Sequence, residues 1–556
     1  MSRPVKSPRS RAWIWLLFVA ALLVLVGCIA CYIVYQFAQR DVRVDNKVTL
    51  EIAHSPEKRA LFEELIKRYS AKRPRTPSGK AIELTLRSAE PDAMIEAALA
   101  GQFQVICPDS SIWLSQLEKD WQEQTRSETS IVGETTRFAL SPLVIAMWED
   151  VARSLGYPAK AIGWADLLSA ARNNSDFKWS HPSTSSASGL LATLATFYAG
   201  AGKTRGLTVD DVTNENTLAY VAALQKTVRY YGEGELAVIE QVTAKGPDYL
   251  DAFVVQEQLL IGFNQSNKGK LIAIYPVEGA MWADHPLVFL ERTSTTSEER
   301  LAYRSLRDYL LTQEAQMLVL ANGYRPSDLS ISLTLAASPI HAQYGADASQ
   351  PKTTLQIPSP SVIQVVRDVW QYAKRKANVY LVADVSGSMQ GDKLTQAKEA
   401  LQTFLGLVQG QQERVGLIVF SSSAREVVPM AELETNLQAL QSAIGGLNAG
   451  GNTALLDAVD LALRRLQEQD DRERINAVVV MTDGIENASS VQLSSLTSRL
   501  SQTSKSGLPV VVFCVAYGSD ADMRVLEAMA SASGGQTRVG SPTTIRELYR
   551  LLSTYF

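Results

Sequence analysis

The sequence predicts an α/β protein with a mostly parallel sheet near its C-terminus and a membrane-spanning helix near its N-terminus. The sheet is predicted from four apolar strands that alternate with helical stretches, at residues 379–384, 415–420, 477–482 and 510–516. Strands that are apolar along their whole length are typical of parallel sheets covered by helices on both faces. The membrane helix is predicted from a long uncharged run, and the length of 556 residues predicts several domains.

The uncharged run covers residues 12–35. A helix of that length measures about 36 Å, enough to cross a hydrocarbon core of about 30 Å. Two tryptophans and two tyrosines lie near its ends, where aromatic rings favour the membrane interface. Residues 1–11 contain basic but no acidic side chains, which predicts a cytoplasmic N-terminus and extracytoplasmic domains in the cytoplasmic membrane.

A lipoprotein anchor is the alternative, because the sequence Leu-Val-Gly-Cys at 25–28 resembles a bacterial lipoprotein cleavage box that would place lipid on Cys28. The apolar run continues to residue 38 instead of turning polar, which favours the uncleaved helix. Both interpretations tether the chain to a membrane.

Charge and cysteine content exclude other classes. The net charge of −4 gives no electrostatic reason to expect a nucleic acid partner. Outside the N-terminal segment only Cys107 and Cys514 occur, both in apolar strands, so we expect buried reduced thiols and neither a disulfide framework nor a zinc site.

The order of predicted elements divides the chain. A strand at 48–53 and a helix at 57–71 begin an alternation that continues to about residue 330. Residues 346–361 lack periodicity and contain three prolines, and an amphipathic helix is predicted at 362–376. We therefore predict one domain at 47–345, a linker and connecting helix at 346–374, and a second domain at 375–556.

Oxygen-bearing side chains follow three strand or loop ends of the second domain, where sites form in parallel sheets. The residues are Asp384, Ser386, Ser388, Thr453 and Asp483. Helix capping alone would explain single serines and aspartates, but it does not require three separate loops to match. These five positions resemble the metal-ion-dependent adhesion site of von Willebrand factor A (VWA) domains, and the resemblance extends over about residues 375–556.

The resemblance implies a doubly wound sheet that holds Mg²⁺ or Mn²⁺, with Ser386, Ser388 and sometimes Thr453 as direct ligands. The aspartates would ligate or act through water. Oxygen ligands suit these hard cations, and neutral hydroxyls leave the ion's charge partly uncompensated. A vacant coordination position is then expected to attract an Asp or Glu of a protein partner.

Catalysis by such a metal needs a general base, and all four histidines lie before residue 345. Glu486, the nearest acidic side chain, is expected to be solvated. We therefore predict binding and no enzymatic activity.

Several stretches of the first domain, at 107–114, 141–147, 182–190 and 272–276, resemble bacterial extracellular solute-binding proteins of the type II periplasmic class. The resemblance implies two α/β lobes with ligand in the cleft between them. Serines at strand-to-helix positions predict a site for an anionic solute, or else they only cap helices. These serines are Ser55, Ser110, Ser111, Ser185, Ser186 and Ser188.

The expected function is metal-dependent binding of a protein partner by the second domain, with the first domain as a solute sensor or a second recognition surface. Two alternatives remain. One is a solute receptor for a transporter or signalling system, and the other is a partner of an AAA+ ATPase.

Overall fold

The structure is a computed structural model that describes residues 46–553 apart from 127, 175, 233, 267–268, 409–411, 507, 519 and 542–543. The predicted cytoplasmic segment 1–11, the predicted transmembrane helix 12–35 and Cys28 lie outside the described residues. Within the described part, none of the helices is long and apolar enough to cross a membrane.

Strands and helices are interspersed throughout the described residues. The strands are β1 (Lys47–His54), β2 (Ala81–Ser88), β3 (Val105–Cys107), β4 (Val132–Arg137), β5 (Ala139–Trp148), β6 (Trp179–Pro182), β7 (Tyr231–Gly232), β8 (Ala252–Gln256), β9 (Leu271–Ile274), β10 (Trp282–Ala283), β11 (Pro286–Leu290), β12 (Arg325–Pro326), β13 (Ala377–Asp384), β14 (Arg414–Phe420), β15 (Ala424–Glu432), β16 (Ile475–Thr482), β17 (Val510–Tyr517) and β18 (Thr537–Gly540). The helices are α1 (Arg59–Ala71), α2 (Pro91–Leu99), α3 (Leu114–Thr125), α4 (Glu149–Ser154), α5 (Trp164–Asn173), α6 (Ala187–Ala201), α7 (Val209–Thr213), α8 (Glu215–Gln225), α9 (Glu235–Lys245), α10 (Glu257–Gln265), α11 (Ser297–Leu310), α12 (Gln313–Ala321), α13 (Pro360–Ala373), α14 (Asp392–Leu407), α15 (Leu433–Gly445), α16 (Leu455–Gln469), α17 (Leu493–Ser506), α18 (Met523–Ser533) and α19 (Ile545–Ser553).

Two sheets form the N-terminal region. The first has the strand order β2-β1-β3-β11-β4, and the second has the order β10-β5-β8-β6-β7, with β9 and β12 also paired to β5. The chain passes from the first sheet to the second between β4 and β5 and returns between β10 and β11. Strand β12 then pairs with β5 of the second sheet, so the region is a pair of α/β lobes joined by three crossings.

One parallel-rich sheet forms the C-terminal region, in the order β15-β14-β13-β16-β17-β18. Every residue of β13, β16 and β17 is buried, which explains why these strands are apolar along their whole length. Only β15 runs antiparallel to its neighbour. The strand order reverses its direction of winding between β13 and β16, and ligands of such sheets bind at that switch point.

The segment that joins the two regions packs against the first one. Leu355 pairs through its backbone with Ala280 at 3.0 Å, and the Tyr198 hydroxyl donates to the Gln356 carbonyl at 2.7 Å. Helix α13 follows, starting slightly before the predicted helix because Pro360 suits a first helical turn. Trp370 on this helix packs edge-on against Tyr231 of the first region.

Both cysteines outside the N-terminal segment are buried and free, as predicted. Burial raises the pKa of the Cys107 thiol to about 11, so the thiol stays protonated at neutral pH.

Candidate metal centre

The five predicted residues of the metal centre lie at one edge of the C-terminal sheet, at its switch point. Asp384 is the last residue of β13 and Asp483 follows β16 directly. The two strands are parallel neighbours, so their carboxyl ends meet. Both aspartates have 0% of their surface exposed, and two carboxylates are therefore buried side by side at this edge.

Hydroxyl groups connect the loop after β13 with the end of β16. The Ser386 and Ser388 hydroxyl oxygens lie 3.0 Å apart. Ser388 donates to Asp483 Oδ1 at 2.6 Å. Ser388 is exposed whereas Ser386 is buried, so the cluster reaches solvent at Ser388.

Thr453 reaches the same space from the loop before α16, as the surroundings of Gly484 show. A Cβ atom added to Gly484 would lie 3.0 Å from Thr453 Oγ1 and 3.4 Å from Ser388 Oγ. The φ angle of Gly484 does not lie in the left-handed region, so the backbone conformation alone does not require glycine. A side chain at this position is instead limited by the space that Thr453 and Ser388 leave. The structure thus brings Thr453 together with the other four residues around a small cradle of oxygen atoms.

Asp384 is held in position by short contacts from its own loop and from β16. Its Oδ1 accepts the Ser386 amide hydrogen at 2.7 Å, and its Oδ2 accepts the Thr482 hydroxyl. Burial raises the pKa of Asp384, while these donors oppose the rise. A cation nearby would favour the charged form of such a buried carboxylate.

Lys393 on α14 is a member of the site that the sequence did not predict. Its ammonium lies 2.5 Å from Asp483 Oδ2. Nothing in the motif indicates this contact, because the ion pair depends on how α14 packs beside β16. Thr482, which bonds Asp384, was predicted only as part of the strand.

Glu486 has a role in its loop that the sequence did not predict. Its carboxylate accepts the amide hydrogens of Leu456 at 3.0 Å and Ser489 at 2.8 Å, so it joins its loop to the start of α16. Asn487 adds a second link, since its Oδ1 accepts the Thr453 amide hydrogen at 2.9 Å. Glu486 is half-buried, so it is solvated only in part, and both residues fix the position of Thr453.

The donor set fits a small hard cation. Two carboxylates and three hydroxyls are the ligand types that Mg²⁺ and Mn²⁺ prefer. Across the described residues no three His, Cys, Asp or Glu side chains are grouped closely enough to hold a metal. An ion at this centre would consequently depend on hydroxyl oxygens as well as on Asp384 and Asp483.

The six serines predicted as a solute site do not come together. Ser186 and Ser188 line a cleft of about 180 Å³ between the two lobes of the N-terminal region. Ser185 lines a different cavity. Capping explains Ser110, which accepts the Ile112 amide hydrogen, and also Ser186, which caps α6.

The other two serines are engaged elsewhere. The Ser55 hydroxyl lies 2.5 Å from both the Glu57 carboxylate and the Lys58 ammonium. The Ser111 amide donates to Asp284 Oδ1 at 2.7 Å. Neither serine lines the cleft.

Comparison with known proteins agrees with both regions. The family model for the von Willebrand factor type A domain matches residues 378–551, and the model for bacterial extracellular solute-binding proteins matches residues 50–325. The chain contains a bacterial extracellular solute-binding domain followed by a VWA domain.

Curated relatives are similar to about three tenths of the chain. Inter-alpha-trypsin inhibitor heavy chain H4 is 28% identical over 176 residues in Sus scrofa and 29% identical over 168 residues in Homo sapiens. These matches cover 31% and 29% of this chain but only 19% and 18% of the relatives. The chain therefore spans less than a fifth of the length of these proteins.

Two solved structures are similar to portions of the chain. A von Willebrand factor type A protein from Catenulispora acidiphila is 23% identical, with a TM-score of 0.29, and covers 33% of this chain and 43% of its own. The sulfate-binding protein SubI from Mycobacterium tuberculosis is 16% identical, with a TM-score of 0.37, over 51% of this chain and 88% of its own.

Proposed function

We propose that this protein is anchored in a membrane and that its VWA domain binds Mg²⁺, or Mn²⁺, and through the ion an acidic side chain of a protein partner. The supporting observation is that five oxygen-bearing side chains from three separate loops converge at the switch point of the sheet. The solute-binding domain then acts as a sensor or as a second recognition surface.

The charge balance of the centre favours an acidic partner. Asp384 and Asp483 supply two negative charges, and the Lys393 ammonium already lies against Asp483. The three hydroxyls are neutral. When bound, the ion supplies a positive centre that these residues only partly compensate, so a carboxylate from outside can complete its coordination.

Binding is favoured over catalysis at this centre. A metal-assisted hydrolysis needs a nearby base, and the four histidines of the sequence all precede the VWA domain. Glu486 is committed to backbone amides. The proposed activity is therefore non-enzymatic.

A pull-down from a membrane extract tests the proposal. We expect the full-length protein to retain its partner in the presence of Mg²⁺, to release it when a chelator is added, and to bind it again when Mg²⁺ is restored. Capture that is equally strong with the chelator would contradict the proposal. A wash at high salt with Mg²⁺ present serves as the control for non-specific ionic association, which salt screens.

A solute receptor is the second candidate, favoured by the cleft of about 180 Å³ between the two lobes. In that case the VWA domain reports to a transporter or signalling system whether the cleft is occupied. A solute would then raise the melting temperature of the protein, and it would still do so in a variant lacking Asp384.

The location of the domains separates these candidates from a partner of an AAA+ ATPase, which would work in the cytoplasm. We expect protease added to intact spheroplasts to digest both domains, because the basic residues before the apolar run favour a cytoplasmic N-terminus. A cytoplasmic marker protein should survive the same treatment. Digestion that requires lysis of the spheroplasts would place the domains inside and favour the ATPase partner.

A further inference from the structure

The cleft between the two lobes is lined by acidic side chains. Five carboxylates line it, and they come from both lobes: Glu57, Glu90, Asp109, Glu235 and Glu240. Arg538 of β18 also lies at this cleft, and the Lys58 ammonium is buried beneath it. Five carboxyl groups therefore face two basic side chains among the described residues, which disfavours an anion at this position.

The topology explains why the acids meet. Glu57, Glu90 and Asp109 each follow one of the neighbouring parallel strands β1, β2 and β3, so they share one edge of the first sheet. Glu235 begins α9 in the opposite lobe. Acidic residues often stabilise the first turn of a helix. This role would explain each of these residues considered by itself.

Asp109 differs from the other carboxylates of the cleft. Only 5% of its surface is exposed, and its Oδ1 is buried and accepts no hydrogen bond from any described residue. Burial raises the pKa of Asp109, and the negative charge of Glu57 raises it further. A buried carboxylate oxygen without a donor costs folding free energy, and the positive charge of Lys58 offsets the burial of Asp109 only in part.

The neighbouring carboxylates already have partners. Glu235 accepts hydrogen bonds from the backbone and side-chain nitrogens of Gln256 at 2.8 and 2.9 Å. Glu57 accepts the Ser55 hydroxyl and lies 3.6 Å from the Lys58 ammonium. These two groups contribute negative potential, whereas Asp109 has an oxygen free to accept a proton donor from a ligand.

We propose that the cleft binds a small organic cation that presents an ammonium group to Asp109. An ammonium group offers both the positive charge and the hydrogen-bond donors that the buried oxygen lacks. A metal ion fits less well, because no group of three His, Cys, Asp or Glu side chains suited to a metal occurs among the described residues. The volume of about 180 Å³ equals that of roughly six waters at about 30 Å³ each, which suits a short amine or diamine.

Isothermal titration of the full-length protein in detergent tests this, with the VWA metal centre saturated by Mg²⁺ beforehand and with 1,4-diaminobutane, methylammonium, Ca²⁺, sulfate and molybdate as probes. We expect an amine to bind and to raise the melting temperature, and the inorganic ions to be silent. Binding of an oxyanion or of Ca²⁺ instead of an amine would overturn the proposal, and so would silence from every probe.

Asp109→Asn separates a ligand-binding role from a structural one. The variant should bind the amine at least tenfold more weakly, while its own melting temperature stays equal to or above that of the wild type, because burial disfavours the carboxylate that the substitution removes. Glu123→Gln, which removes one exposed charge from α3, should bind as the wild type does. Wild-type affinity in Asp109→Asn would overturn the proposal.

This inference rests on the sensor role in the proposed function but not on the metal centre. The titration is therefore repeated with Asp384→Ala, where amine binding should be unchanged. If the wild type binds the amine but does not capture a partner, the metal-centre proposal has failed. If it captures a partner but does not bind the amine, the proposal for the cleft has failed.

Discussion

Asp384→Ala is expected to abolish Mg²⁺-dependent capture of the protein partner while the VWA domain remains folded. The substitution removes one of the two buried carboxylates at the sheet edge and, with it, half of the negative charge available to a cation. A loss of roughly 100-fold in affinity, about 2.7 kcal/mol, is a reasonable expectation for a ligand at such a centre. Titration of the variant with Mg²⁺ measures binding of the ion, and the pull-down measures capture of the partner.

Stability must be followed separately, because Asp384 also accepts the Ser386 amide hydrogen and the Thr482 hydroxyl. Leaving those donors without an acceptor costs about 1–3 kcal/mol. Asp384→Asn removes the charge and replaces one of the two acceptor oxygens by an amide nitrogen, but it keeps the other acceptor oxygen. It should therefore fold more stably than Asp384→Ala and still fail to capture the partner.

Asp392→Asn is the matched control for charge. Asp392 is exposed at the first position of α14, close in sequence to the same centre, and its removal changes the net charge equally. We expect normal capture. If Asp384→Asn captured the partner in a Mg²⁺-dependent manner as strongly as the wild type, the assignment of Asp384 would be wrong.

Long apolar strands were predicted well because burial on both faces leaves a direct mark in the sequence. The predicted strand 379–384 corresponds to β13 (Ala377–Asp384), and 477–482 corresponds to β16 (Ile475–Thr482). Strand β15 was missed, since it lies at the edge of the sheet and only one of its residues is fully buried. Such a strand carries no continuous apolar run.

Strand order was not predictable from periodicity. In the first region, β11 lies between β3 and β4 and is antiparallel to both, although it is remote from them in sequence. This pairing depends on tertiary contacts. The expectation of two lobes came from resemblance to a family and not from the pattern of residues.

The two sites show what sequence reasoning can and cannot find. Asp384 and Asp483 were found because both stand at the ends of buried strands, whose positions the sequence predicts. In the cleft, attention to Ser55 and Ser110 passed over Glu57 and Asp109, which stand beside them. Serines at helix starts predict an anion site only when the charges of neighbouring side chains are taken into account.

Arg325→Met is expected to destabilise the solute-binding domain by about 3–5 kcal/mol, the usual consequence of removing one partner of a buried ion pair. Arg325 is 8% exposed and Glu257 is fully buried. Two guanidinium nitrogens donate to the two Glu257 oxygens at 2.9 and 2.8 Å. Without Arg325, Glu257 would keep, among the described residues, only the Tyr275 hydroxyl as a side-chain partner.

Arg325 also donates to the Gln350 carbonyl at 2.5 Å, so its loss should loosen the segment that leads to the VWA domain. At about 2–4 °C per kcal/mol for a domain of this size, we expect the melting temperature to fall by roughly 10 °C, as measured by calorimetry. Arg153→Met is the matched control, because Arg153 pairs with Glu149 at the surface and exposed pairs contribute at most about 1 kcal/mol.

The double variant Arg325→Met/Glu257→Met distinguishes an unpaired charge from lost packing. Replacing both members of a buried pair with apolar side chains is often neutral or stabilising, so the double variant should melt well above Arg325→Met. If the two variants melted at the same temperature, lost contacts of the arginine side chain, which lies 5.3 Å from the Trp282 ring centre, would account for the effect. The unpaired carboxylate of Glu257 would then not be the cause of the lower melting temperature.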